Sequence, residues 1–279
     1  MVRIFMKHSS VLRNVALTLV VALVGCSELE KSDDPTKNWS ASKLHSEAKK
    51  DLQEGNYEQA AKLYESLQSR YPYGTYSTQA ELEQIYVYYK QHESASAVSE
   101  ADRFIKAHPN HPAVDYAYYM KGLANFSDDL GIFGIYTDSD LVQRDTKPTK
   151  DAFDAFRDLI TRFPNSRYAP DAIIRMKYLV NSLARNDVAV ARYYYRRQAY
   201  LAATDRALNI LRNYPHTAAQ EDALDIMARS YDAMGLKDLS QDTVRVLKLD
   251  FPNSHYLTTQ GDLTKKIEWW RFWQTSANQ

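Results

Sequence analysis

The chain has 279 residues, 35 basic and 35 acidic, and a formal net charge of zero. That balance argues against nucleic acid as the main ligand, which calls for a clustered basic footprint. Its one cysteine, Cys26, excludes an intramolecular disulfide, a zinc cluster and a thiol enzyme.

Arg3, Lys7 and Arg13 precede an apolar run, Val15–Val24. A basic start and a ten-residue apolar stretch read as a secretory signal peptide over residues 1–25, too short for a membrane span. The Leu23-Val24-Gly25-Cys26 ending resembles the cleavage box of bacterial lipoproteins, so Cys26 is expected to become a lipidated first residue. Each buried CH₂ contributes about 0.8 kcal/mol, and two or more acyl chains anchor stably. That covalent lipid is the only cofactor expected, and it makes the membrane a partner. Ser27, rather than Asp, favours sorting to the outer membrane. Without residues 1–25 the formal charge is −3. Residues 26–40 are polar and read as a lipidated tether.

Five dipeptides punctuate the rest: Tyr71-Pro72, His108-Pro109, Phe163-Pro164, Tyr214-Pro215 and Phe251-Pro252. The prolines are 37, 55, 51 and 37 residues apart, and each closes a segment of helical periodicity. Twelve residues before them stand Ala60, Ala97, Ala152, Ala203 and Ser240; eight before stand Tyr64, Ala101, Phe156, Ala207 and Val244. Small residues let helices approach and large ones fill the groove beside them. This is the tetratricopeptide pattern, and it predicts an all-α superhelix of about five helical hairpins. Residues 41–147 form an N-terminal half, with an insertion at Ser127–Lys147 inside the third hairpin, and residues 148–260 a C-terminal half. Tyr168–Arg197 reads as one extended helix, bent near Arg185-Asn186-Asp187. The insertion carries Leu130, Ile132, Phe133 and Ile135 among aspartates, as a docking knob or as a segment folded onto its own groove. Residues 261–279 place Leu263, Ile267, Trp270 and Trp273 at helical spacing, as a helix capping the last repeat or as a contact for a partner or membrane.

No phosphate loop, nucleophile elbow or His-Glu-x-x-His occurs. His108 and His111 flank Pro109 and cannot share a helix face, and Asp128-Asp129 and Asp138/Asp140 read as solvated loop charges. Neither a metal site nor an enzyme is expected. The chemistry lies in 21 tyrosines, among them three triplets: Tyr86, Tyr88, Tyr89; Tyr116, Tyr118, Tyr119; and Tyr193, Tyr194, Tyr195. First helices of such hairpins line the concave face. There tyrosine offers a broad apolar surface with a polar tip at low entropic cost, and each triplet is expected to turn at least one member to the groove. Arg192–Arg197 is basic and aromatic and reads as a groove-lining or partner-contacting face.

Several strings are more specific than the repeat. They are Tyr71-Pro72-Tyr73-Gly74-Thr75-Tyr76-Ser77, Ile85-Tyr86-Val87-Tyr88-Tyr89-Lys90, His108-Pro109-Asn110-His111-Pro112, Tyr119-Met120-Lys121-Gly122-Leu123 and Phe163-Pro164-Asn165-Ser166-Arg167-Tyr168. With the lipoprotein box they resemble the BamD family of outer-membrane β-barrel assembly lipoproteins, called ComL in some bacteria. The resemblance implies a lipid-anchored protein on the periplasmic face of a Gram-negative outer membrane, with five repeats. Its N-terminal half would recognise unfolded outer-membrane proteins, through Tyr71, Gly74, Tyr76, Tyr86 and Tyr89. Its C-terminal half would dock on the periplasmic domains of the barrel subunit BamA and on accessory lipoproteins, through Arg206, Arg196 and Arg197. Glu58 departs from relatives that carry a basic residue there, and the Trp-rich end has no counterpart in the pattern. The alternative is another repeat lipoprotein, such as a pilotin assisting secretin assembly, a class without the Tyr-Pro-x-Gly-x-Tyr string. A cell-wall or DNA-uptake role, suggested by the older name, fits neither the charge of −3 nor the missing catalytic set.

Overall fold

The computed structural model describes residues 34–129 and 145–258. The signal peptide, Cys26, most of the insertion, and residues 261–279 with their tryptophans lie outside the described residues. The helices are α1 (Ala41–Glu54), α2 (Tyr57–Arg70), α3 (Thr75–Lys90), α4 (Ser94–Ala107), α5 (Val114–Asp129), α6 (Lys147–Arg162), α7 (Ala169–Arg196), α8 (Tyr200–Asn213), α9 (Ala219–Ala233) and α10 (Lys237–Asp250), followed by the single turn α11 (His255–Thr258). Each helix packs on the next, giving five antiparallel hairpins in succession. First helices also pack on first helices, α1 on α3, α3 on α5 and α7 on α9. The expected all-α array of five hairpins is the observed fold; of the expected insertion Ser127–Lys147, Ser127–Asp129 continue α5 and Lys147 opens α6.

The prolines work through the residue before them. Tyr71, His108, Phe163, Tyr214 and Phe251 all leave their helices at φ between −125° and −131°. A following proline disfavours helical backbone there. Each still donates its N–H to a carbonyl four residues back, on Leu67, Phe104, Leu159, Ile210 and Leu247. Those five side chains are buried. The alanines at 60, 97, 152 and 203 are fully buried, as close helix approach requires.

A second regularity sits seventeen residues ahead of four prolines. Gly55 (φ 83°), His92 (61°), Gln198 (61°) and Gly235 (78°) occupy the left-handed region. The residue after each donates its N–H back to the preceding helix: Asn56 to Asp51, Glu93 to Tyr88, Ala199 to Tyr194 and Leu236 to Tyr231, at 2.8–3.0 Å. These are Schellman turns, in which a left-handed residue lets the chain reverse while satisfying the last carbonyls. Two of the four positions are not glycine, and side chains there cost about 1–2 kcal/mol in backbone strain. Gly55→Ala is therefore expected to lower the unfolding free energy by about 1 kcal/mol. Gln198→Gly is expected to raise it by about 0.5–1 kcal/mol, the relief exceeding the added freedom of the unfolded chain. Urea melts of the two variants check both signs.

Buried side chains gather into three clusters. The first joins Leu44, Tyr64, Leu67 and Val87 from α1–α3. The second joins Ile85, Phe104, Met120, Phe156 and Leu159 and runs on to Leu179 in α7. The third starts at Ala184 in the same helix and continues through Val188, Ile210 and Ile226. The extended helix expected at Tyr168–Arg197 is thus one unbroken α-helix of 28 residues whose two halves belong to different cores. On α5, a Cβ added at Gly122 would meet the Phe156 ring of α6 at 2.4 Å.

Candidate functional site

The turn between α2 and α3 presents the first aromatic group. Pro72 stops α2, and Gly74, at φ 101°, opens α3 in a conformation that disfavours any side chain. Tyr73, between them, is 91% exposed, and Tyr76 projects from the first turn of α3, 42% exposed. Its ring lies 5.5 Å from that of His45 on α1. Behind it His45 approaches Glu83 on α3 at 2.9 Å, beside fully buried Tyr64, whose phenol is pushed far up by burial and by Glu83.

Tyr71 is already engaged. Its hydroxyl donates to the Trp39 carbonyl at 2.9 Å. Arg70 beside it donates to the Thr36 carbonyl at 2.5 Å and pairs with Asp34. The last residues of the expected tether, 34–39, are thereby fastened to the end of α2. Trp39 hides part of the first core.

Tyr86 and Tyr89 do not join this group. They stand about 15–20 Å further along α3 at 1.5 Å per residue. Both are half-buried against the second cluster, their rings 6.5 Å apart. The five tyrosine-turn positions read from sequence therefore divide into an exposed corner (Tyr71, Gly74, Tyr76) and an inner pair. Tyr88, between the pair, donates to Glu65 on α2 at 3.0 Å and accepts from Gln84 at 2.8 Å. Burial, and then the Glu65 carboxylate, push its phenol up to about 12. The other triplets are mostly packing. Tyr118 is buried; Tyr119 stacks on Tyr168 at 4.7 Å and donates to Asp171 at 2.7 Å; Tyr194 and Tyr195 pack against the third cluster. Tyr193 alone of its triplet is counted among the exposed side chains.

Arg206 projects from α8 with about half of its side chain, 47%, exposed, and its guanidinium lies 3.9 Å from Asp187 on α7. Asp187 also faces Tyr214, whose phenol is pushed up to about 12 by burial and then by that carboxylate. Arg196 and Arg197 are exposed at the C-terminus of α7, where the helix dipole favours cations. Arg197 lies over the Tyr193 ring at 5.4 Å and donates to its hydroxyl at 3.2 Å.

The basic string does not act as one face. Arg192 turns inward, only 5% exposed, donating to Asp222 on α9 at 2.7 Å and to the Tyr256 hydroxyl at 3.2 Å. Tyr256 also bonds Asp222, and burial pushes its phenol far up. The sequence held the signal, because Arg192 lies four residues from Val188 and next to Ala191, both buried. Tyr73 was equally legible, inside the same string as Tyr71 and Gly74. The histidines beside Pro109 pack around Phe104, and His108 lies 3.1 Å from Glu81.

The sequence model of the YfiO family, described as outer membrane lipoprotein, matches residues 37–249. A relative from Neisseria meningitidis named outer membrane protein assembly factor BamD is 40% identical over 262 residues, covering 93% of this chain and 98% of the relative. One of the same name from Vibrio cholerae is 38% identical, covering 88% and 99%. Among solved structures, a kinesin light chain with nearly identical tetratricopeptide-like repeats from Podosopora anserina aligns only loosely, at TM-score 0.33 and 13% identity over 76% of this chain and 96% of that one. Near-complete coverage at 38–40% identity, with a family match through all five hairpins, places this chain in the YfiO family of outer membrane lipoproteins.

Proposed function

We propose that this chain is the lipoprotein subunit of a β-barrel assembly complex, a non-catalytic scaffold that receives unfolded outer-membrane proteins for insertion. The observation that carries the reading is its end-to-end match to relatives named outer membrane protein assembly factor BamD. Cys26 holds the lipid, and the repeats hang on the periplasmic face.

Unfolded barrel strands expose unpaired backbone and alternating apolar side chains, which aggregate. The corner of Tyr73, Gly74 and Tyr76 offers such a segment exposed aromatic surface on a rigid turn. Tyr86 and Tyr89, further along α3 and half-buried on the second cluster, offer the same segment a separate aromatic contact. Tyr71 contributes by fixing the tether beside the corner, through its bond to Trp39. Arg206, with Arg196 and Arg197, docks on the periplasmic domains of a BamA-like barrel subunit, and accessory lipoproteins complete the complex. Arg206 makes only a long contact with Asp187, at 3.9 Å, and keeps about half of its side chain in solvent. A carboxylate on the partner would form a stronger, charge-assisted bond than that long contact.

Affinity capture of the detergent-solubilised protein from its native envelope tests the reading. Recovery of a large barrel protein with tandem periplasmic domains, together with small lipoproteins, is the expected result. Recovery of a secretin instead would overturn it in favour of a pilotin. Arg206→Ala is expected to reduce the barrel subunit recovered several-fold with an unchanged melting curve. Alanine is preferred to glutamate, which would also repel Asp187 within the chain. Undiminished recovery would remove Arg206 from the docking surface.

A further inference from the structure

The fastening of residues 34–39 to the end of α2 changes the working length of the tether. Arg70 closes on that segment with both arms of its guanidinium. Nη1 donates to the Thr36 carbonyl at 2.5 Å, and Nη2 donates to the Thr36 hydroxyl at 3.0 Å and pairs with Asp34. Asp34 also accepts from the Thr36 N–H at 2.9 Å and from its hydroxyl at 2.7 Å. Thr36 is itself buried. Five residues on from Asp34, Trp39 packs on the first cluster, and its carbonyl accepts from the Tyr71 hydroxyl.

Asp34, the first described residue, is thus already fixed to the array, eight positions along from Cys26. Eight chain steps reach at most about 28 Å. Without Arg70 the segment keeps only its own short turn, whose bonds run from Lys37 to Asp34 and from Trp39 to Thr36. A lone turn is marginal in water, because it fixes several backbone angles for each bond gained. The first fixed residue would then be Trp39, thirteen positions from Cys26, with a reach of about 45 Å. The clasped end of α2 runs directly into Tyr71, Pro72 and Tyr73, so the exposed corner stands at the root of the tether. Resting on the lipid proposed at Cys26, we infer that Arg70 is a positioning residue. By taking five residues out of the tether it holds the base of the Tyr73–Tyr76 corner within about 28 Å of the lipid. An unfolded barrel segment is then received beside the membrane it must enter, rather than at the end of a long leash.

Energy transfer from the array to the bilayer reads that distance. The full mature lipoprotein carries a donor dye at Ser69, an exposed position on α2, and sits in phosphatidylethanolamine–phosphatidylglycerol vesicles containing an acceptor-labelled lipid. Arg70→Ala is expected to lower transfer by about half, as the reach grows from about 28 Å to about 45 Å, while far-ultraviolet dichroism persists. Deleting residues 28–32 from the Arg70→Ala chain removes as many residues as the clasp released, and is expected to restore the parental transfer. A role confined to stability would not answer to tether length. Transfer that Arg70→Ala leaves unmoved, or a loss that the deletion does not restore, would overturn the proposal. Flotation with the vesicles separates this from the reading beneath it. A chain that floats but ignores Arg70 fails the inference alone, whereas a chain that does not float carries no lipid at Cys26 and overturns both.

Discussion

Phe156→Ala is expected to lower the unfolding free energy by about 3–5 kcal/mol, the usual cost of emptying an aromatic site in a closed core. Phe156 is fully buried in α6 and central to the second cluster, with Phe126 at 6.4 Å and Tyr119 at 6.1 Å between ring centres. Its ring also fills the space left by Gly122 on α5, which is why that helix tolerates a glycine at its centre. Gly122→Ala alone is expected to destabilise by about 1–3 kcal/mol, because the added methyl meets an immobile ring. In the Phe156→Ala background the same substitution should turn neutral or stabilising, since alanine is the better helix former by about 1 kcal/mol. Denaturant melts of the four proteins close the cycle. Additive losses would show that Gly122 and Phe156 do not constrain one another.

Arg192→Ala is expected to cost about 3 kcal/mol, as expected when one partner of a largely buried ion pair is removed. The guanidinium ties α7 to α9 through Asp222 and to α11 through Tyr256. Its loss leaves the Asp222 carboxylate half-sheltered without its cation. Tyr256→Phe removes a single hydrogen-bonding hydroxyl and is expected to cost about 1 kcal/mol. Thermal melts rank the two. A drop for Arg192→Ala no larger than for Arg196→Ala, on the exposed side of the same helix, would mean that the buried pair contributes no more than a surface charge.

The fold was legible because its strongest determinants are local. A proline fixes where a helix ends, and a buried alanine at a constant distance from it fixes how closely the next helix packs. Both are visible one hairpin at a time. The left-handed turns at His92 and Gln198 were not legible, because neither residue prefers that backbone; the turn geometry imposes it. At the candidate surfaces, legibility stopped where tertiary contacts begin. Nothing near Tyr71 in sequence shows that its hydroxyl is taken by Trp39, 32 residues earlier. The Arg206 contact with Asp187 depends on how α7 packs on α8. Arg192 was readable from its phase among buried neighbours, but the basic run around it drew attention to charge instead of periodicity.

The unbroken course of α7 has a mechanical consequence. The passages from one hairpin to the next go through loops, which can flex by rotating a few backbone bonds. Between the second and third cores the passage is the interior of a helix about 42 Å long. A hinge there would have to break main-chain hydrogen bonds between Leu179 and Ala184. The helix therefore behaves as a beam, clamped at both ends and yielding only by gentle curvature. A force applied to the α8–α9 end is delivered to α5 and α6 as a torque, with no slack joint between to absorb it.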